Sequence, residues 1–221
     1  NSLTQINSGA FRGCNLTEIT LPFIGRSAGA STFEGSFGYI FGYRLVDTES
    51  KVVEGATRQY IIPYKGEYYW YYIPTTLKKV TVTNAKTVPD SAFRNCRMLE
   101  EVELNGGITV LNEYAFGNCT NLISVTGLES VTSVGQYGFY GCSKLTTFPS
   151  LPLTGVGSYA FYNCVLLSEV SFGDGLKSIG YKAFYNVPLT SVTVPNSVEY
   201  IGGSAFFGCP LTEISLPFIG E

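Results

Sequence analysis

Residues 178–209 read SIGYKAFYNVPLTSVTVPNSVEYIGGSAFFGC, and the same pattern recurs through most of the chain. It consists of Ala-Phe-x-x-Cys followed by Leu-x-x-Val-x-Leu, and a new copy begins after 22 or 23 residues. The phenylalanines that mark the seven copies are Phe11, Phe93, Phe116, Phe139, Phe161, Phe184 and Phe206. A fixed period of this length is typical of a solenoid, in which each unit buries its apolar side only against its neighbours. The repeat therefore predicts a single solenoid over residues 1–221.

Each copy contains a short alternating segment that predicts a β-strand. After Leu99, the apolar residues Val102 and Leu104 alternate with the polar residues Glu101 and Glu103, which is the pattern of a strand with one buried face. Eight such segments open at equivalent leucines: Leu16, Leu77, Leu99, Leu122, Leu145, Leu167, Leu189 and Leu211. A turn, a second short apolar element such as Leu176 with Ile179, and a helical turn at Ala-Phe would complete each unit. Because parallel strands need such a crossover, we expect a β-rich α/β fold with one sheet of eight parallel strands.

The cysteines follow the repeat as well. All six lie three residues after the repeat phenylalanine, and Val187 occupies the same place in the remaining copy. A position that accepts valine favours a small apolar side chain, which is how a buried thiol behaves. Reduced cysteines that pack in the core are therefore the preferred interpretation. A disulfide or a metal site is the alternative, although the chain has no His and no CxxC pair.

One interval breaks the period, because 61 residues separate Leu16 from Leu77. Segment 22–76 is therefore predicted to be an aromatic-rich β insertion within the solenoid. RQYIIPYKGEYYWYYIP (58–74) reads as a β-hairpin that turns at residues 63–66. Exposed Tyr and Trp side chains are favoured at recognition surfaces. The candidate partner-binding residues of this hairpin are Tyr64, Tyr68, Tyr69, Trp70, Tyr71 and Tyr72. The alternative is that these aromatic side chains form the core of the insertion.

The outward positions of the predicted strands offer a second candidate surface of hydroxyl groups and glutamates. Its candidate contact residues are Glu101, Glu103 and Glu169. The alternative is an ordinary solvated strand face. Glu101 and Glu103 could also form the carboxylate pair of a glycoside hydrolase, but a solvated acidic pair is the preferred interpretation.

Composition excludes several classes of function. The chain is 45% hydrophobic and 14% charged, with a net charge of −3 and no cluster of Lys and Arg. A nucleic-acid or anionic-membrane binder would need such a cluster, and no apolar run is long enough to span a bilayer. Without His the commonest general base is missing, and no phosphate-binding or nucleophile motif occurs. We therefore predict no catalytic, cofactor-binding or metal-binding residues, and a protein that is not an enzyme.

Both ends of the sequence lie within the repeat pattern. The chain opens at Asn1, inside a unit, and CNLTEITLPFIGR (14–26) recurs as CPLTEISLPFIGE (209–221). We therefore expect this chain to be part of a longer protein in which a second aromatic insertion follows.

The pattern IGxxAFxxCxxLxxVxLPxxVxxIG, carried by residues 178–209, resembles the BspA-like class of leucine-rich repeats. The resemblance implies a right-handed solenoid with a parallel sheet on its concave side, export to a cell surface and, for some members, adhesion to host matrix proteins or other cells. It transfers no binding residue, because the motif residues are the core. This chain departs from the pattern at Val187, Gly138, Pro149 and Leu151.

Together these features predict a non-catalytic cell-surface module for protein–protein interaction or adhesion, located outside the cell. Its partner would be a protein or the extracellular matrix. One alternative is a structural spacer that carries other domains. A second is a carbohydrate-binding module that holds a glycan through the aromatic side chains of the insertion.

Overall fold

The computed structural model describes residues 2–46, 57–58 and 68–217 as a stack of coils. In these residues it contains fifteen short strands and two 3₁₀ helices, Thr32–Gly35 and Phe37–Phe41. The strands are β1 (Glu18–Leu21), β2 (Tyr43–Val46), β3 (Thr57–Arg58), β4 (Tyr68–Tyr71), β5 (Lys79–Val82), β6 (Thr87–Val88), β7 (Glu101–Leu104), β8 (Val110–Leu111), β9 (Ser124–Thr126), β10 (Ser133–Val134), β11 (Gly155–Val156), β12 (Ser178–Ile179), β13 (Ser191–Thr193), β14 (Tyr200–Ile201) and β15 (Glu213–Ser215). The β-rich solenoid and its repeat of 22–23 residues are confirmed.

One side of each coil carries the longer strands, which we call the long-strand side. Strands β1, β5, β7 and β9 form a parallel sheet in that order, and β13 pairs with β15 farther along. The register aligns equivalent positions, so that Val80 lies beside Val102 and Val102 beside Val125. All three valines are buried. Apolar burial at every second residue therefore holds the strands in register.

A second side carries the short apolar element of each repeat. There β6, β8, β10, β11, β12 and β14 form a six-stranded parallel sheet in chain order. Leu111, Val134 and Ile179 point into the core from this sheet. The second apolar element of the repeat is therefore also a β-strand.

The third side of each coil is formed by the Ala-Phe segments, and we call it the turn side. The prediction of a helical turn in these segments is wrong, because they form successive turns without a helix. The N–H of Phe93 donates to Ala115 O of the next coil at 2.8 Å, and Phe116 N–H donates to Gly138 O at 2.8 Å. Left-handed residues such as Asn95 (φ 60°) separate the turns within each segment. Two features therefore prevent a continuous helix here: the backbone hydrogen bonds run from one coil to the next, and left-handed residues interrupt each segment.

The phenylalanines of the repeat form a buried ladder along the core. Phe93 and Phe116 stack with ring centroids 5.2 Å apart, and Phe139 and Phe161 stack at 5.3 Å. The rings from Phe93 to Phe184 are each covered by rings of both neighbouring coils. Burial of one such side chain contributes about 1.5–3 kcal/mol, so the ladder is a main source of stability.

The cysteine column lies beside this ladder. Cys119 and Cys142 are buried thiols that donate to Phe93 O and Phe116 O at 3.0 and 3.1 Å. Burial raises the pKa of the Cys142 thiol far above its ordinary value. Val187 is fully buried at the equivalent place. The prediction of packing thiols is confirmed for these positions.

The insertion leaves the solenoid and rejoins it without displacing the stack. β1 pairs directly with β5, with Glu18 beside Lys79. The 3₁₀ helix Phe37–Phe41 is buried and supplies the aromatic rings that the ladder needs between Phe11 and Phe93. Phe11 lies 6.2 Å from Phe41, and Phe37 lies 5.2 Å from Phe93. A non-repeat sequence therefore replaces the Ala-Phe segment of one coil.

Residues 43–46, 57–58 and 68–71 of the insertion form a small antiparallel sheet in the order β2, β4, β3. Thr57 lies opposite Tyr71 in the pair formed by β3 and β4, as the predicted hairpin requires. The predicted turn at residues 63–66 lies outside the described residues. The division into a solenoid over 1–221 and an insertion over 22–76 stays an interpretation of this arrangement.

The sheet on the long-strand side is interrupted, and the expectation of eight continuous strands is wrong here. Between β9 and β13 the coils that open at Leu145 and Leu167 carry no strand of this sheet, and Leu151 with Phe172 forms an isolated bridge. We call residues 147–150 and 168–171 the sheet break. Pro149 lies in the first of these segments, and proline cannot donate a ladder hydrogen bond.

Candidate functional site

The predicted aromatic run of the hairpin is only partly a surface. Tyr64 lies outside the described residues, and of Tyr68 and Tyr69 only the backbone positions on β4 are described. Trp70 is 8% exposed and Tyr71 is fully buried. Both side chains are core of the insertion, so they are corrected from contact residues to packing residues.

Tyr72 has an intermediate position in this run. Its ring is partly buried, and the Arg12 guanidinium lies 4.6 Å from the ring centroid. A cation over an aromatic face is an attractive contact in itself. Tyr72 therefore joins the insertion to the first Ala-Phe segment, and its binding role stays a prediction.

The predicted glutamates of the long-strand side divide into two groups. Glu101 and Glu103 lie beside Lys79 on β5, with N···O distances of 3.5 and 3.8 Å. A hydrogen bond from Asn105, followed by the charge of Lys79, lowers the pKa of the Glu103 carboxyl. A general acid of a glycosidase needs a raised pKa, so the shift at Glu103 has the opposite sign.

Glu169 is in a different environment. It is exposed and lies in the sheet break, where it lines a groove with Phe148, Ser168 and Ser191. The groove has a volume of about 500 Å³. Thus the structure does not bring the three predicted glutamates together into one site.

Sequence reasoning missed a third surface, on the turn side. Two rows of aromatic rings run along the stack, and we call them the aromatic rows. The first row is Tyr114, Tyr137 and Tyr159, and the second is Tyr140, Tyr162, Tyr185 and Phe207. Centroid distances between neighbours are 4.4 and 4.9 Å in the first row and 4.8 to 5.1 Å in the second.

Backbone conformation places the first row. Tyr114, Tyr137 and Tyr159 have φ of 54°, 57° and 57°, and the equivalent Ser91 and Lys182 are left-handed as well. This conformation is unfavourable for bulky L-residues. Because Ser91 and Lys182 adopt the same left-handed conformation at the equivalent position, the turn itself does not require tyrosine.

The two rows touch each other and remain partly open to solvent. Tyr137 contacts Tyr140 edge to face at 5.6 Å, and Tyr159 contacts Tyr162 at 5.6 Å. These four rings are half-buried, whereas Phe207 at the end of the second row is 58% exposed. The recurrence of Tyr two residues before and one residue after the repeat phenylalanine was the available sequence signal.

Two cationic side chains, Arg94 and Lys182, lie beside the aromatic rows. The Arg94 guanidinium covers Tyr114 at 3.7 Å, and the Lys182 ammonium lies 5.1 Å from the Tyr181 ring centroid and 5.9 Å from that of Tyr159. Desolvation raises the pKa of Tyr114 and of Tyr159. The phenols of these two tyrosines are therefore neutral at physiological pH and can both donate and accept hydrogen bonds.

Two further features bear on chemistry. Within the described residues, no group of three His, Cys, Asp or Glu side chains is arranged to hold a metal ion. Nor does any helix in that part of the chain have the length and apolar character needed to cross a membrane.

The fold is similar to that of solved leucine-rich repeat proteins. A leucine rich cell surface protein from Faecalibacterium prausnitzii A2-165 has 24% identity and a TM-score of 0.59, over 78% of this chain and 52% of that protein. This chain thus spans about half the length of that protein. A leucine rich repeat protein from T. pallidum has 26% identity and a TM-score of 0.58, over 62% of this chain and 68% of that one.

Curated proteins gave no match to this chain. The sequence profile of the BspA type leucine rich repeat region, however, matches six copies, over residues 1–40, 66–172 and 154–218. These matches include the Ala-Phe segments and strands that form the core. The chain therefore belongs to the BspA type leucine-rich repeat family.

Proposed function

We propose that this chain is a non-catalytic protein-binding module of a bacterial cell-surface protein, and that the aromatic rows hold its partner. The observation that carries the proposal is the position of Tyr137, Tyr140, Tyr159 and Tyr162. Their rings touch across the two rows and stay half-open to solvent. Tyrosine offers contact area, a polar hydroxyl and little loss of entropy on binding, which favours protein recognition.

The other two surfaces support this choice. On the hairpin, Trp70 and Tyr71 are used for packing. On the long-strand side, Lys79 already pairs with Glu101 and Glu103. A partner would have to displace those ion pairs and packing contacts, whereas the rings of Tyr137, Tyr140 and Tyr162 are already partly open to solvent.

Family and resemblance support the location and the absence of catalysis. The F. prausnitzii protein of similar fold is described as a cell surface protein. This chain has no His, and the lowered pKa of Glu103 keeps that carboxyl ionised rather than ready to donate a proton. Recognition without chemistry is the function that these features favour.

The experiment compares two variants of the chain by surface plasmon resonance. One carries Tyr137→Ser, Tyr159→Ser and Tyr162→Ser, and the matched control carries Tyr200→Ser. Tyr200 is 57% exposed on β14, on another side of the coil. The probes are a panel of immobilised mammalian extracellular-matrix proteins and a glycan array.

We expect at least one matrix protein to bind, with a dissociation constant raised at least tenfold by the triple substitution and unchanged by Tyr200→Ser. Circular dichroism checks that both variants are folded. Binding only to glycans would favour a carbohydrate-binding module instead. Binding to neither panel, or equal binding by both variants, would contradict the proposal and favour a spacer.

A further inference from the structure

The sheet break opens only one side of the stack. On the turn side of the same coils, Phe139 N–H donates to Ala160 O at 2.7 Å and Phe161 N–H donates to Ala183 O at 2.8 Å. On the side that carries the six-stranded sheet, β10, β11 and β12 remain paired. The coils are therefore held together on two sides while the third side is split.

The split leaves one edge of β13 unpaired. On its other edge β13 pairs with β15, and Thr212 N–H donates to Thr190 O at 2.8 Å. Toward the break, the N–H and C=O groups of Ser191 and Thr193 make no backbone hydrogen bond with any described residue. Both residues are exposed. Such an edge can accept another strand.

Two residues lie at the start of the break. Pro149 has no N–H with which to continue the ladder from β9. Phe148 lies beside it, and its ring packs edge to face against Phe139 at 5.4 Å and Phe161 at 4.8 Å. The phenylalanine thus anchors this segment to the buried ladder. The groove extends from it to β13 and is also lined by residues 168–171 of the intervening coil.

Charge indicates which strand would fit. Glu169 stands at the same place in its repeat as Glu101, which in the intact sheet lies beside Lys79 at 3.5 Å. The residues at that place in the two coils flanking Glu169 are Thr147 and Ser191, which are uncharged. Glu169 therefore lacks the cationic neighbour that Glu101 has.

We propose that the sheet break binds an extended peptide segment of a partner protein by strand addition to the free edge of β13, with a Lys or Arg side chain beside Glu169. Main-chain hydrogen bonds supply affinity in this mode of recognition, and alternate side chains supply selectivity. The site lies away from the aromatic rows and does not depend on them.

A segment of this chain provides a peptide with which to test the proposed site. Residues 76–83, TLKKVTVT, include β5, which lies beside a glutamate-bearing strand in the intact sheet. The capped synthetic octapeptide of this sequence is titrated into the full chain by isothermal calorimetry. Two altered peptides serve as controls: one with Lys79→Ser, and one with N-methyl groups on alternate residues, which removes backbone donors.

We expect the unaltered peptide to bind. Glu169→Gln in the protein should lower the affinity about two- to fivefold, which is the size expected for an exposed ion pair. N-methylation of the peptide should lower the affinity at least tenfold. Lys79→Ser in the peptide should lower the affinity by the same factor as Glu169→Gln in the protein. The two changes together should lower the affinity no further than either one alone. Glu101→Gln in the protein is the matched control and should leave binding unchanged.

This inference would be overturned by no binding of the peptide, by equal binding of the N-methylated peptide, or by equal effects of Glu169→Gln and Glu101→Gln. Loss of binding in the triple tyrosine variant would also overturn it, because the peptide would then lie on the aromatic rows. Since matrix-protein binding is measured separately, failure here leaves the proposed function standing.

Discussion

The turn side and the long-strand side of the same coils differ in continuity. On the turn side, hydrogen bonds and stacked rings pass from one coil to the next through the whole region around Tyr137 and Tyr159. On the long-strand side the ladder stops after β9 and resumes at β13. A solenoid coil therefore does not need all of its sides to remain stacked, and the side that is released becomes available for other contacts.

The largest expected effect tests the continuous part. Phe161→Ala removes a fully covered ring from the ladder and should lower the free energy of unfolding by about 3–5 kcal/mol, through lost burial and a cavity. Phe11→Ala should cost less, because Phe11 is only partly buried. Urea unfolding followed by circular dichroism measures both. Equal losses for the two variants would contradict the nearest-neighbour picture.

The next effect concerns the aromatic rows. Tyr137→Ala removes stacking with Tyr114 at 4.4 Å and Tyr159 at 4.9 Å and should destabilise the fold by about 1–2 kcal/mol. Tyr200→Ala, at an exposed site, should change stability by less than about 0.5 kcal/mol. Thermal unfolding distinguishes them. No difference between the variants would show that the rows contribute contact surface but no stability.

A smaller effect tests the cause of the break. Pro149→Val restores a backbone donor, so we expect a gain of about 0.5–1.5 kcal/mol if one ladder hydrogen bond forms. Amide hydrogen exchange should then show greater protection over residues 147–150. Unchanged exchange would indicate that the Phe148 ring, rather than the missing donor, holds the break open.

The smallest effect tests the electrostatics of the intact sheet. The hydrogen bond from Asn105 and the charge of Lys79 hold the pKa of Glu103 below its ordinary value of 4.5. The resulting stabilisation is complete above that ordinary value and is lost as the pH falls through the lower folded-state pKa. Asn105→Ala should raise the Glu103 pKa, as seen by NMR titration, whereas the distant Asn196→Ala should leave it unchanged.

Much of the core could be predicted from the repeat. The leucine, valine, cysteine and phenylalanine positions recur at fixed spacing, and Phe116, Cys119 and Leu122 are all fully buried. The prediction succeeds here because one structural solution, stacking of equal coils, satisfies every copy at once. The same reasoning overestimated the sheet, because it assumed that a strand pattern interrupted by Pro149 would still pair.

The surfaces were harder to predict, for two physical reasons. Aromatic composition in the insertion does not tell which face of β4 is buried, and Trp70 and Tyr71 both proved to be packed. The aromatic rows depend on a left-handed backbone at Tyr114 and its equivalents. The recurrence of Tyr at a fixed distance from the repeat phenylalanine was visible in the sequence, but it did not show on which side of the coil the rings would lie.

The junction of the insertion with the solenoid has a consequence for how such proteins diversify. β1 and β5 are bonded to each other, and Phe37 and Phe41 maintain the column of rings. Whatever lies between those fixed points can therefore change in length or sequence while the spacing of the later coils is preserved. Related chains can therefore vary the insertion at this junction and leave the aromatic rows and the sheet break of the later coils unaltered.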